Sequence, residues 1–211
     1  FNIKKSKNDK LVNTQNIIWT TTPWTLPANE AVSLHPEFNY ALVDVGKSLF
    51  LLSEELLESS LERYGIQKFK KLNKVYKGSE LEGIMLEHPF YDKEVPVILG
   101  EHVTTDAGPG AVHTAPAHGH DDYIVGLKYN LPVDCPVDGR GVFIESTKGV
   151  AGEYIFRANS TIIDLLNEKG TLVKHEPITH SYPHCWRHKT PVIFRATPQW
   201  FVSMTQRNLR D

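Results

Sequence analysis

Glycine and proline cut this chain into short pieces, and that punctuation limits the architectures open to it. Residues 17–22, 40–45, 48–52 and 111–115 are β-branched or aromatic runs of strand length. Between residues 75 and 105 similar runs are broken by Gly78, Gly83, Pro89 and Gly100. Gly46-Lys47 reads as a hairpin turn, and residues 171–175 and 192–196 read as two further strands. Two stretches hold a helical period. In the first, Ser53 is the expected N-cap, Glu54 and Glu55 occupy the first turn, Leu56, Leu57, Leu61 and Tyr64 recur at helical spacing, and Gly65 is the stop. In the second, over 159–169, Asn159 caps, Ile162, Ile163, Leu165 and Leu166 point inward, and Gly170 ends the helix. A third helix is expected over 121–128. The regular strand–helix alternation of a doubly wound fold is missing, so the pattern predicts a β-barrel or mixed sheet decorated by helices.

Composition narrows the function classes. The 211 residues, 40% of them apolar, suffice for an ordinary core. Lysine and arginine total 23 against 25 aspartates and glutamates, a net charge of −2, with a pI near 6.6. That argues against a free-standing nucleic-acid binder, though not against a domain handling one end of a nucleic acid that other domains grip. No apolar run approaches the roughly 18 residues of a membrane span, and no signal-peptide pattern opens the chain. Cys135 and Cys185 form no disulfide framework, so a reducing, cytoplasmic setting is expected. A first residue of Phe1 rather than Met suggests a piece of a longer protein. Eight of ten histidines fall in two groups, His102 to His120 and His175 to His188, which invites a site hypothesis.

Three stretches carry candidate chemistry. The first is Trp19-Thr20-Thr21-Thr22-Pro23-Trp24-Thr25-Leu26-Pro27-Ala28-Asn29. Its threonines are ordinary strand residues on propensity alone. A strand ending at proline between two tryptophans can instead present hydroxyls to a ligand, with Trp19 and Trp24 as walls. The second runs from Asp106 through Gly108-Pro109-Gly110 and His113 to His118-Gly119-His120-Asp121-Asp122-Tyr123. Its His-x-His-x-Asp pattern matches part of a metallo-β-lactamase motif, but Tyr123 stands where the next histidine belongs, and the ligand set is incomplete. One carboxylate can anchor a cation while His113 or His118 shapes a pocket; in the blander alternative Asp121 caps a helix and the histidines are loop residues. The third, His180-Ser181-Tyr182-Pro183-His184-Cys185-Trp186-Arg187-His188, offers three ligand types without a second pair, a poor zinc site. An aromatic segment packing on a neighbouring domain is the better reading.

Together these stretches resemble the inserted editing domain of the isoleucyl-tRNA synthetase family. The resemblance covers residues 18–29, Gly110-Ala111-Val112-His113-Thr114-Ala115-Pro116, Asp121-Asp122-Tyr123, and a closing segment from Ser181 to Phe201 that looks like the return to the synthetase core. It implies a β-rich α/β fold, a closed β-barrel core with peripheral helices, with residues 1–178 as editing domain and 179–211 as return segment. The family usually has Gly-Thr-Gly where this chain has Gly108-Pro109-Gly110, and Gly where it has Ala117. Proline fixes φ and removes an N–H, and alanine would be strained at positive φ.

What the resemblance implies for function is editing: hydrolysis of valine esterified to tRNA(Ile) after transfer, with editing before transfer as a further possibility. Asp122 would hold the α-ammonium. His113 would face the side chain and exclude isoleucine, with Trp24 beside it. Thr20, Thr21, Thr22 and Thr25 would bind the terminal adenosine and ester and orient a water. No nucleophile–base pair is visible, so water attacks directly, and neither metal nor cofactor is expected. The ATP-binding motifs of a synthetase are absent, so aminoacylation, with its ATP and Mg²⁺, belongs elsewhere. Expected partners are the valine-bearing acceptor end of tRNA(Ile) and the remainder of the synthetase; the piece itself is expected to be monomeric, without membrane association. The competing readings are a non-catalytic module that docks the tRNA acceptor end, and a zinc-dependent hydrolase.

Overall fold

The computed structural model describes residues 1–206 apart from 7 and 107. Nine strands are present among them: β1 (Asn2–Lys5), β2 (Gln15–Asn16), β3 (Ala31–Leu34), β4 (Asn39–Asp44), β5 (Leu49–Ser53), β6 (Lys70–Lys77), β7 (Met85–Glu87), β8 (Glu94–Leu99) and β9 (Ala111–Thr114). Helices α1 (Leu57–Arg63), α2 (His120–Lys128) and α3 (Ile155–Glu168) accompany them. The strands form one mixed sheet in the order β6-β4-β5-β2-β1-β7-β8-β3-β9, with β2–β5 and β3–β8 parallel. The hairpin at Gly46 forms as expected, Asp44 pairing with Leu49.

The sheet is not closed into a barrel, which corrects the expected architecture: β6 and β9 end the order with no ladder between them. The turn before β9 partly spans the gap. Ser53 N–H donates to Pro109 O at 2.9 Å, and Tyr40 Oη–H donates to Gly110 O at 2.7 Å. Gly108 and Gly110 have φ of 76° and 79°. A Cβ on Gly110 would sit 2.4 Å from Ser53 Cβ. Positive φ on both sides of a proline without an N–H docks this turn but cannot propagate a ladder. Ala117 is not among the described residues with positive φ, so alanine is unstrained there.

Other expectations also shift. Residues 17–22 are not a strand: β2 stops at Asn16 and a 3-10 helix spans Pro23–Ala28. Pro23 suits a first helical position, and Thr22 N–H donates to the Thr20 hydroxyl instead of a neighbouring strand. Ser53 does not cap α1, because it completes β5 opposite Tyr40. Asn159 lies inside α3, which begins at Ile155. Residues 171–175 and 192–196 are not strands; Thr171 N–H bonds back to Leu166 O and Ala196 N–H to Ala117 O.

Four apolar clusters hold the elements, the smallest seating Val125 of α2 on Ala31 and Ile98. Val32, Leu34, Tyr40, Leu42, Leu51 and Leu86 form the largest, within the sheet. Leu57 and Leu61 of α1 cover the other face of β4 and β5 at Ala41, Val43, Phe50 and Leu52. Ile155, Ala158, Ile162 and Leu166 of α3 pack on Trp24 and Leu26, fastening the 3-10 helix. Each such fully buried large side chain contributes about 1.5–3 kcal/mol.

Candidate active site

The threonine segment reaches β9 through a continuous chain of polar contacts. Thr22 N–H donates to Thr20 Oγ1 at 3.1 Å, and the two hydroxyl oxygens lie 3.4 Å apart. Thr25 Oγ1 donates to Thr22 O at 2.8 Å. A hydroxyl has one proton, so toward His113 Nε2, 3.0 Å away, Thr25 Oγ1 accepts. His113 is therefore the Nε2–H tautomer, and its Nδ1 is a bare acceptor, buried without a partner among the described residues. Burial, and then the neighbouring His118, hold the His113 pKa down to about 4. The ring is neutral at pH 7. Its place on β9 is set by pairing with Val32 and by the Ser33–Thr114 hydroxyl contact of 2.7 Å next to it. Thr21 is half-buried and stands outside the chain of contacts.

Asp122 sits in the first turn of α2 and accepts from Ala115 N–H at 2.9 Å, tying that helix to the end of β9. Gly119 permits the approach, since a Cβ there would lie 2.9 Å from the Asp122 carboxyl carbon. Burial pushes the Asp122 pKa up, opposed by the Ala115 hydrogen bond. Asp121 does not cap α2, contrary to the sequence expectation. Its side chain is 70% exposed, 3.7 Å from His120 Nδ1, and the N-cap is Gly119 without a side-chain bond.

Trp24 lies in the α3 cluster rather than at an open surface. Its N–H donates to Asn159 Oδ1 at 2.9 Å, and its ring meets His118 edge-on, 4.9 Å between centroids. His118 Nδ1 donates to Phe194 O at 3.0 Å, so Nε2 is its free acceptor. Asn29 ends the first candidate stretch, where its place in the sequence assigns it no role. Asn29 is fully buried and donates to Ala31 O at 2.7 Å, leaving Oδ1 unpartnered. The available signal was an amide closing the apolar run Leu26-Pro27-Ala28. Trp24 Nε1, Asn29 Oδ1, His113 Nδ1 and His118 Nε2 are thus four buried polar atoms without partners among the described residues, borne by the 3-10 helix, its cap, β9 and the loop after it. Trp19 abuts Gly108, where a Cβ would come within 2.9 Å of its own. Thr20 and Pro23 also line a cavity of about 140 Å³ with Asn16, Ile18 and Leu166.

The suspected metal ligands have other surroundings. His118 and Asp122 are engaged by Phe194 and Ala115, and His120 is exposed. Among the described residues, no three His, Cys, Asp or Glu side chains form a set able to hold a metal ion. Cys185 Sγ lies 3.5 Å from His188 Nδ1, while His184 Nδ1 bonds Tyr182 O. The segment around them is exposed, Trp186 and Trp200 included. Among the described residues no helix is long and apolar enough to cross a membrane.

Comparison with known proteins places this geometry. Residues 13–172 match the protein family described as leucyl-tRNA synthetase, editing domain. An isoleucine–tRNA ligase of Ruthia magnifica is 64% identical over 195 residues, 92% of this chain and 21% of that protein. One from Vesicomyosocius okutanii is 59% identical over all 211 residues, again 21% of its length. The chain thus spans about a fifth of these relatives. The crystal structure of GlLeuRS-CP1 shares the fold at a TM-score of 0.62 and 16% identity, covering 81% of this chain and 88% of that one. The editing domain of P. knowlesi cytosolic leucyl-tRNA synthetase follows at 0.56 and 12%, covering 74% and 83%. The chain belongs to the leucyl-tRNA synthetase editing-domain family, in the form carried by isoleucine–tRNA ligases.

Proposed function

We propose that this domain hydrolyses valine mischarged onto tRNA(Ile), using a positioned water and no metal, in the cytoplasm. A pocket for isoleucine rejects valine by only about 1–3 kcal/mol, the standing case of this limit, so a second, hydrolytic site must supply the remaining discrimination. The observation that carries the reading is His113: a buried, neutral ring held by Thr25 in a chain of the editing family. A wall so fixed can admit valine and exclude the extra methylene of isoleucine. The Asp122 carboxylate would take the α-ammonium, and a cation there offsets the burial that raises its pKa. Thr20, Thr21, Thr22 and Thr25 would hold the terminal adenosine and orient water, with Trp24 behind them.

In this reading Thr25 is not the nucleophile, which the hydrogen bond from its hydroxyl to Thr22 O supports. Water oxygen instead bonds to the ester carbonyl carbon and the carbon–ribose-oxygen bond breaks. The ribose oxygen leaves with a proton, and the adjacent ribose hydroxyl can assist. A synthetase carrying this domain should release valine from valyl-tRNA(Ile), and a strong chelator should not slow it. Loss of hydrolysis restored by zinc would promote the metallohydrolase, and tightly bound but intact valyl-tRNA would make the domain a docking module. His113→Ala should begin to hydrolyse isoleucyl-tRNA(Ile); if that substrate is still spared, His113 is not the size filter.

A further inference from the structure

We infer that β6 and the residues leading into it form a track for the phosphodiester backbone of the RNA. This rests on the preceding reading for which RNA is bound, but not for whether RNA binds here. Lys68, Lys70, Lys71, Lys74 and Lys77 fall within residues 66–77 without one carboxylate, in a chain of net charge −2. All other residues together therefore stand at −7, so residues 66–77 are a local positive excess in an otherwise acidic chain. All five lysines are exposed.

The strand that carries them is built to present them. β6 is the edge of the sheet, paired among the described residues only with β4, so its outer row of backbone N–H groups can meet phosphate oxygens. Tyr76 is buried and Leu72 packs against the same sheet cluster, which anchors the strand from beneath. Its register with β4 shifts between Lys71 and Val75, and within that irregular stretch the exposed Lys74 carries its Nζ 4.6 Å from the Tyr76 ring centroid. Lys71 is held by Glu54 and Lys77 by Glu37 O, which leaves Lys68, Lys70 and Lys74 for a ligand. Phe69, 41% exposed between two of these, offers a face on which a base can stack. The track also leads to the site: β4 lies beside it, and Tyr40 of β4 donates to Gly110 O, three residues before His113.

Lysines on an edge also discourage strand pairing between molecules, and that role predicts no dependence on RNA. The experiment is tRNA(Ile) binding to the synthetase carrying Lys68→Gln, Lys70→Gln and Lys74→Gln, across a salt series. Each lost phosphate contact lowers the slope of log affinity against log salt by ~0.7–0.9, so the triple variant should lose about 2–3 and bind roughly 100-fold more weakly at ~0.1 M salt. The matching Lys→Arg variant should keep the slope. Valyl-adenosine has no phosphodiester, so its hydrolysis should be unchanged; if even the parent leaves it intact, the catalytic reading fails while the salt slope still judges the track. An unchanged slope overturns the inference, and an unchanged slope with new self-association on light scattering assigns the lysines to edge protection. Should the triple variant associate, Lys74→Gln alone must still lower the slope by just under one.

Discussion

At residue 122 one carboxylate has two tasks that can be separated. It accepts from Ala115 N–H and, in the proposed chemistry, binds an ammonium. Asp122→Ala removes both and leaves a backbone donor without its acceptor, costing about 1–3 kcal/mol of stability. Losing the partner of a desolvated cation costs on the order of 3–5 kcal/mol, a hundred- to several-thousand-fold in rate at about 1.4 kcal/mol per factor of ten. Asp122→Asn keeps an oxygen for Ala115 and loses the charge. It should therefore melt near the parent yet hydrolyse valyl-tRNA as poorly as the alanine variant. An asparagine variant with parental rate would show that the charge is not what binds substrate. Asp121→Ala should change neither property, since that side chain is exposed and caps nothing. The letters of the motif were legible in the sequence, but their division of labour was not. The adjacent aspartates differ only in which one faces β9 across Gly119, and no local pattern encodes that.

Among the elements, punctuation was readable and pairing was not. Gly65 and Gly170 end their helices at φ of 76° and 65°, as their spacing implied. The extended runs 17–22, 171–175 and 192–196 share the β propensity of true strands but have no ladder. Propensity reports an extended backbone, whereas a strand also needs a partner at the right distance, which only the assembled fold supplies. Asn159 shows the same limit. Its spacing suggested a cap, yet α3 begins earlier and the amide is used across 135 residues of sequence, by Trp24 N–H. That bond makes the 3-10 helix, and with it Thr25 and His113, depend on α3. Asn159→Ala should cost about 1–3 kcal/mol on urea denaturation and slow valyl-tRNA hydrolysis, while Asn159→Asp, which keeps the acceptor, should retain more of both. Parental stability and rate in the alanine variant would mean that apolar packing alone positions the segment.

For the whole molecule, the expected barrel stays open because its seam falls on a Gly-Pro-Gly turn rather than a strand, yet the seam is still bonded. Inside the fold, burial shifts several titratable groups, and His88 and His113 are the two histidines whose pKa it lowers most. His88 donates from Nε2 to Leu26 O at 3.1 Å and accepts from Tyr91 N–H at 3.1 Å, so it is satisfied only when neutral. Burial, above all, lowers its pKa to about 3, and that of His113 to about 4. In the unfolded chain both return to about 6.5. Above that pH neither state binds the proton and the histidines leave stability unchanged. Below it the unfolded state binds more protons, so stability falls with falling pH, down to about 4 for His113 and about 3 for His88. Each contributes about 1.4 kcal/mol per pH unit, so moving from pH 7 to pH 5 should cost on the order of 4 kcal/mol for the pair, a large share of the ~5–15 kcal/mol of a typical domain. His88→Gln keeps a donor for Leu26 and an acceptor for Tyr91 but cannot charge. Urea denaturation at both pH values should show its stability difference smaller than the parent's by about 2 kcal/mol. If the two differences are equal, His88 accepts its proton within the folded state and does not set the acid limit of the fold.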